Sequence, residues 1–207
     1  YNASDKTLRQ ALMDIAPQRK IMIEQVNDRA VVLRLQQTVV KAGGLRLLAA
    51  RLECGMGLTA AQNTAHAQSA RAAVRSMTVA VTQLRVDASK VADSSQLYET
   101  NRSAARSQLL DVVVKAGLVL ASSRHQVTDN TTRIDLETAI TTVNQQLAQP
   151  STALDTLRND STAVINAQKT VATSVEAYNA QLSAQTYSQP SASQSAVPRS
   201  SQSPSPQ

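Results

Sequence analysis

An apolar heptad repeat constrains the fold of this chain more than any other sequence feature. Steps of four and three residues from Ala70 to Val119 define fifteen positions, and twelve of them carry Ala, Val, Leu or Met. Hydrophobic residues at this spacing share one face of an α-helix, and a repeat of about seven heptads is typical of long helices packed side by side. Only Ser95 and Arg102 place plainly polar groups in the stripe. The pattern predicts one helix over residues 60–122, about 95 Å long at 1.5 Å per residue.

The composition also favours an all-α fold. Phe and Trp are absent and Tyr occurs only four times, although aromatic side chains supply much of the buried area in globular cores. The five Gly and six Pro leave long uninterrupted stretches, which favours helix. We therefore predict an elongated up-down helical bundle with coiled-coil-like heptad seams and an extended C-terminal tail.

Local signals place the helix boundaries within one predicted bundle over residues 1–185. Pro17 is expected to end the first helix, because the residue before a proline resists the α region. Thr59 and Gln62 have the T-x-x-Q spacing of a capping box, in which side chain and backbone satisfy each other at a helix start. The third helix is expected to run antiparallel to the second and to the fourth and fifth. The predicted helices cover residues 5–15, 18–54, 60–122, 131–149 and 151–185, with turns near 55–58 and 123–130.

The second predicted helix has its own apolar stripe and an internal glycine pair. Each glycine costs about 1 kcal/mol relative to alanine in a helix interior. Because the stripe resumes in phase after Gly43 and Gly44, we predict that a neighbouring helix approaches the backbone closely there. The residues of the stripe fall seven apart: Val26, Leu33, Val40 and Leu47.

Pro150 decides how the last two predicted helices are connected. The heptad register of residues 136–182 passes through it without slipping. A proline inside a helix costs about 3 kcal/mol, but it is tolerated at the start of a new helical segment. We therefore predict two nearly collinear helices with a kink at Pro150, and a hairpin is the alternative. Ser161 and Gln168 are polar groups on this seam, where such residues can fix register or oligomer state at some loss of stability; hydrated positions near a loose end are the alternative.

The sequence offers no recognisable catalytic or metal site. The two histidines, His66 and His125, have no second His, Cys or carboxylate at metal-ligand spacing. Cys54 is the only cysteine and is expected to be a small buried hydrophobe. Asp135 and Glu137 are two residues apart and would point to different sides of a helix. We predict a protein that is not an enzyme and that has no cofactor, metal or small-molecule substrate.

The positive charge is concentrated in the first part of the chain. Residues 1–125 hold 17 Lys and Arg against nine Asp and Glu, a net charge of +8, whereas residues 126–207 hold four against six, a net charge of −2. Arginines on a helix face could contact backbone phosphates, although no aromatic platform or recognised motif accompanies them. Nonspecific contact with nucleic acid or an anionic membrane is therefore the alternative function. The candidate polyanion contacts are two i,i+4 pairs, Arg71 with Arg75 and Arg102 with Arg106.

The main functional prediction is assembly. A thin apolar seam on very long helices leaves apolar surface for partners to cover. We predict a homo-oligomer, or a subunit among other subunits, in a large complex of virion or secretion-apparatus type, by analogy of fold alone. A virion or cell envelope is the favoured location. The predicted oligomer-interface seam comprises Val74, Met77, Val81, Leu84, Val91, Leu109, Val112, Leu136, Ile140, Val143, Leu147, Leu154 and Leu157.

The last stretch, residues 186–207, is composed mainly of Ser, Gln and Pro. It lacks the apolar surface needed to offset an ordering entropy of about 1–2 kcal/mol per residue. We expect a tail that is mobile in the isolated subunit and becomes ordered in a groove of a neighbouring subunit.

Overall fold

The structure is a computed structural model that describes residues 2–49, 57 and 59–187. Within these residues it contains six α-helices, one short 3-10 helix and no strand, which confirms the predicted all-α class. Cys54 and most of the predicted tail lie outside the described residues. The helices are α1 (Asn2–Asp14), α2 (Ala16–Arg19), α3 (Arg29–Ala49), α4 (Ala60–Ser122), α5 (Thr131–Leu147) and α6 (Leu154–Tyr187), and the 3-10 helix covers Ile23–Gln25.

The chain packs as two compact units, Tyr1–Ser107 and Gln108–Gln207. The boundary falls inside α4, so that the first part of this helix belongs to one unit and its last part to the other. The sequence analysis predicted a single bundle, because the heptad stripe runs through this boundary without interruption.

Helix α4 has the predicted bounds, and its start has the predicted cap. The Thr59 backbone N–H donates to Gln62 Oε1 at 2.8 Å, and the Gln62 backbone N–H donates to Thr59 Oγ1 at 3.3 Å. These reciprocal bonds satisfy two backbone donors that the first turn of a helix leaves without partners. The capping box is therefore confirmed.

The first unit is held together by one apolar core between α1, the segment after α2, α3 and α4. Helices α3 and α4 are antiparallel: Thr38 bonds Asp87, whereas Asp28, earlier in the chain, bonds Ser94, which is later. This confirms the predicted direction of the second and third helices. The core is formed by Leu8, Ala11, Ile15, Val26, Val32, Leu35, Ala42, Met77, Val81, Leu84, Ala88 and Val91.

The predicted helix over residues 18–54 is wrong in its first part, because α3 begins only at Arg29. The Asp28 carboxylate accepts a bond of 2.9 Å from the Ala30 N–H, which is an N-terminal cap. The Asp28 N–H donates to Ser94 Oγ at 2.8 Å, and the Asn27 N–H donates to the Ser94 carbonyl. These contacts with α4 satisfy the backbone N–H groups of Asn27 and Asp28 without a helix. The helix α3 therefore starts only after these two residues.

The predicted stripe of this helix is also wrong. Leu33 and Val40, at 48% and 74% exposed, face solvent. Val26 is buried, but it lies in the loop before α3 and not in the helix. The side chain of Leu47 is outside the described part of the structure. Because α3 begins only at Arg29, Val26 is not part of the helix and does not determine which of its residues face inward. The inward face of α3 is instead formed by Val32, Leu35, Thr38 and Ala42.

Within the described residues, no helix makes the predicted close approach to the glycine pair. A Cβ atom built on Gly43 or Gly44 would meet no described atom within 4 Å. Both glycines lie inside α3, so in this structure they are weak points of the helix rather than contact points.

The second unit shows that Pro150 belongs to a hairpin, and the predicted kink between collinear helices is wrong. Helices α5 and α6 pack against each other, and Thr128, just before α5, contacts Ser174 far along α6. The connection closes because the Thr152 hydroxyl donates to the carbonyls of Gln146 and Gln149 at 2.7 and 3.0 Å. A side chain thus satisfies backbone oxygens at the end of α5, where a helix lacks partners of its own.

The turn between α4 and α5 lies where it was predicted. His125 adopts a positive φ of 61°, a left-handed conformation common just after a helix end. Asp129 Oδ1 accepts bonds from the Thr131 N–H at 2.8 Å and the Thr131 hydroxyl at 2.6 Å. These bonds lower the pKa of the Asp129 carboxyl and fix the start of α5.

Candidate interaction surfaces

The predicted oligomer-interface seam is mostly the inward face of the chain itself. Ten of its thirteen residues are buried by intramolecular packing, and the other three, Val74, Val112 and Ile140, are partly buried. Packing within the chain therefore accounts for the burial of most of these residues, and their role in a contact between subunits stays a prediction. The heptad positions were well chosen, but the neighbouring helices of the same chain cover them.

Polar side chains on these inward faces make hydrogen bonds between helices. Asp87 is 1% exposed, and its carboxylate accepts bonds from the Thr38 hydroxyl at 2.7 Å and from Gln83 Nε2 at 2.9 Å. In the second unit, Gln168 Nε2 donates to the Val112 carbonyl at 3.4 Å. Gln168 thus links α6 to α4, as its place on the predicted seam suggested.

Sequence reasoning missed Asp87 and Ser94 as buried residues, although a signal was present. The series Leu84, Asp87, Val91 and Ser94 follows steps of three, four and three, like the apolar stripe itself. A polar residue at such a step is buried when a partner on the facing helix satisfies it. Here Thr38 and the Asn27–Asp28 backbone are those partners.

The two candidate arginine pairs differ in their surroundings. Arg71 and Arg75 are exposed on α4, beside Val74. Arg102 is partly buried and pairs with Glu99, with 2.7 Å between the guanidinium nitrogen and the carboxylate oxygen. The negative charge of Glu99 weakens the second pair as a contact for anions, and only the first pair has the exposure that phosphate contacts need.

A pocket of about 260 Å³ lies between α2 and α3. Its lining is mainly aliphatic, with Val32, Leu35 and Val39, and it includes Gln18, whose Oε1 is buried without a hydrogen-bond partner. No histidine, cysteine or carboxylate is among its lining residues. The described residues of this pocket therefore offer an aliphatic cavity with one unsatisfied amide oxygen.

The described residues contain no group of three or more His, Cys, Asp or Glu that could hold a metal ion. Asp135 and Glu137 are both exposed on α5. None of the helices in the described part of the chain is both long and apolar enough to cross a membrane.

One apolar surface was not predicted from the sequence, and we call it the outer α4 stripe. It consists of Leu110, Val114 and Leu118, which are 49%, 65% and 66% exposed. These residues are four apart on α4 and belong to the second unit. They lie about 150° around the helix from buried Leu109 and Ala116, given 3.6 residues per turn. This part of α4 is therefore apolar on two opposite faces.

The outer stripe is distinct from the other exposed apolar residues. Single exposed hydrophobic residues are normal on protein surfaces, but three on adjacent turns of one helix form a continuous ridge. The signal in the sequence was the run "LLDVVVKAGLVL" (109–120), which is apolar around most of the helix. A helix that is hydrophobic on all sides is normally buried on all sides.

Comparison with known proteins gives no relative for this chain: no family model, no curated protein and no solved structure matches it.

Proposed function

We propose that this chain is a non-enzymatic structural subunit of a large protein assembly, of the virion or secretion-apparatus type. The observation that carries the proposal is the outer α4 stripe, which leaves three large aliphatic side chains in solvent on a 63-residue helix. Contiguous apolar surface of this kind marks sites that a partner covers. Coiled-coil-like packing of the seams remains a prediction within this proposal.

The contacts of the described residues support a scaffold role. Their polar groups are used to fix helix ends and helix pairs: Thr59 and Asp28 cap α4 and α3, and Asp87 links α3 to α4. Among the described residues, those with shifted pKa values, Asp5, Asp129 and Asp160, lie on different helices or turns. Perturbed pKa values cluster at catalytic sites, and here they are dispersed.

Sedimentation velocity over a concentration series tests the proposal. A structural subunit is expected to form species larger than its 22.1 kDa monomer, and apolar contacts should resist added salt because salt screens only charges. A chain that remains a 22.1 kDa monomer at every concentration, and that binds no other subunit from its source, would overturn the proposal.

The second candidate function is nonspecific contact with a polyanion through Arg71 and Arg75, which are exposed on adjacent turns of α4. Retention on heparin should fall with salt, and the double variant Arg71→Gln/Arg75→Gln should elute at lower salt than the matched control Arg29→Gln/Arg34→Gln. Equal retention of the two variants would show that net charge alone, and not this pair, accounts for binding.

A further inference from the structure

We infer that the partner on the outer α4 stripe is a second copy of this chain, whose own α4 packs against it in the antiparallel direction with Val114 at the centre. The inference rests on the proposed assembly function and makes it specific, since it names the partner and the residues of one contact.

The stripe is complementary to itself. If two α4 helices cross antiparallel about Val114, that residue faces its own copy, and Leu110 faces Leu118 of the second copy. Asp111 and Lys115 are both exposed, and they follow Leu110 and Val114 on the same flank of the stripe. Residues on the same flank of two antiparallel helices meet, so that Asp111 of each copy lies about 3 Å along the helix axis from Lys115 of the other, within reach of the long lysine side chain. Apolar and charged groups are thus both matched by a single two-fold axis, as a symmetric dimer contact requires.

The spacing of the stripe also fits helix packing. Residues four apart form a ridge, and two such ridges interlock at about −50°, the commonest crossing in globular proteins. Gly117 lies beside the ridge, and a Cβ there would meet no described atom within 4 Å. A glycine at this place lets a second backbone approach closely. Ser107 and Ala121, both exposed and small, continue the same face at either end.

The area of the stripe sets a limit on the contact. A stable interface takes about 800 Å² from each partner, which is more than three side chains supply. The outer stripe is therefore the central apolar patch of a larger contact, in which the flanking charges and small residues of α4 form the rim.

Charge pairing at Val114 gives the sharpest test. Val114→Asp or Val114→Lys places two like charges face to face, and each variant alone should associate about 100-fold or more weakly than the wild type. A mixture of the two variants should recover association, because an Asp then faces a Lys. The control is Val79→Asp, which puts the same charge on an equally exposed valine of α4 (68% exposed) and should leave association unchanged.

The flanking pair tests whether Asp111 and Lys115 pair across the contact. Asp111→Lys alone and Lys115→Asp alone should each weaken association roughly two- to tenfold, while the double exchange Asp111→Lys/Lys115→Asp should restore it. If the double exchange associates as weakly as the single variants, Asp111 and Lys115 do not pair between the copies.

Sedimentation velocity of the full chain measures the association of all these variants. If the wild type associates and the Val114 variants associate equally well, the dimer contact is wrong while the assembly function stands. If the wild type is a monomer at every concentration, and it binds no other subunit, both fail. Recovery in the Val114 mixture, with Val79→Asp unaffected, supports both.

Discussion

At the residue scale, the buried hydrogen bond between Thr38 and Asp87 is the polar contact that most directly joins α3 to α4 in the first unit. The carboxylate is almost fully buried, and the Thr38 hydroxyl donates to it at 2.7 Å. A buried acceptor that loses its donor incurs a desolvation penalty of about 1–3 kcal/mol.

Thr38→Val should therefore lower the free energy of unfolding by about 1–3 kcal/mol. Thr82→Val is the matched control, because Thr82 is exposed and bonds only the carbonyl one turn earlier in α4; a change within about 0.5 kcal/mol is expected there. Urea titration followed by circular dichroism gives both values. Equal effects of the two substitutions would show that the buried bond contributes nothing specific.

The pKa values of two other carboxyl groups are shifted in opposite directions. Burial raises the pKa of Asp5, but hydrogen bonds from Arg9 and Arg46 and the charges of these arginines outweigh it, so that its pKa is lowered below 3.8. Burial raises the pKa of Asp160 above 3.8, and its Oδ2 is buried without a hydrogen-bond partner.

These shifts predict opposite effects of removing the charge. The lowered pKa of Asp5 contributes stability above pH 3.8 that is lost as the pH falls through the folded-state value, so Asp5→Asn should destabilise the chain at neutral pH. The raised pKa of Asp160 contributes stability only in acid, which is lost as the pH rises through the folded-state value, so Asp160→Asn should stabilise the chain at neutral pH. The difference in urea midpoint between each variant and the wild type should shrink as the pH is lowered from about 7 to about 3. If both substitutions changed the stability in the same direction at neutral pH, the predicted opposite roles of the two carboxyl groups would be wrong.

At the element scale, α3 contains two glycines that no described contact requires. Gly43→Ala and Gly44→Ala should each raise the free energy of unfolding by about 1 kcal/mol, because alanine favours the helix and the added Cβ meets open space. Thermal or urea denaturation measures the change. A loss of stability at either position would restore the close approach that the sequence analysis predicted.

The α5–α6 hairpin can be tested by a cross-link. Thr128 Oγ1 and Ser174 Oγ lie 3.1 Å apart, a separation that two helices extended through Pro150 would not allow. In a Cys54→Ser background, Thr128→Cys/Ser174→Cys should form an intramolecular disulfide under mild oxidation. Thr128→Cys/Thr162→Cys is the control and should remain reduced. Failure of the first pair, seen as unchanged migration on a non-reducing gel, would favour the kinked arrangement.

The sequence predicted the elements whose signals are local. The bounds of α4 and its Thr59–Gln62 cap follow from periodicity and capping chemistry. It failed where tertiary contacts decide: α3 starts at Arg29 because Asp28 caps it and binds Ser94 of another helix. At Pro150 the heptad register is the same for a kink and a hairpin, and packing of α5 on α6 selects the hairpin.

The same distinction applies to the candidate site. The heptad repeat identified residues that are buried in the chain, such as Met77 and Leu136, but periodicity does not tell whether the covering helix belongs to the same chain or to a neighbour. The outer α4 stripe was missed because an apolar run with weak periodicity predicts burial without naming the exposed side. Only the positions of the other helices separate Leu109 from Leu110.

At the scale of the whole molecule, the two faces of α4 near its C-terminal end have two different roles. One face, with Leu109 and Ala116, completes the core of the second unit. The other, the outer α4 stripe, is apolar without cover from the described part of the chain. An exposed apolar surface of this kind is expected in a chain that associates, because a partner covers it. In an isolated monomer the same surface promotes aggregation.

Thiol labelling of these two neighbouring positions tests the account most directly. In a Cys54→Ser background, the single variants Leu109→Cys and Leu110→Cys are treated with a maleimide at concentrations below and above the onset of association. The account predicts a Leu109→Cys thiol that is protected at every concentration, because α4 buries it within the chain. It predicts a Leu110→Cys thiol that reacts rapidly in the monomer and becomes protected as the chains associate. A Leu110→Cys thiol that reacts equally fast in monomer and assembly would contradict the central claim.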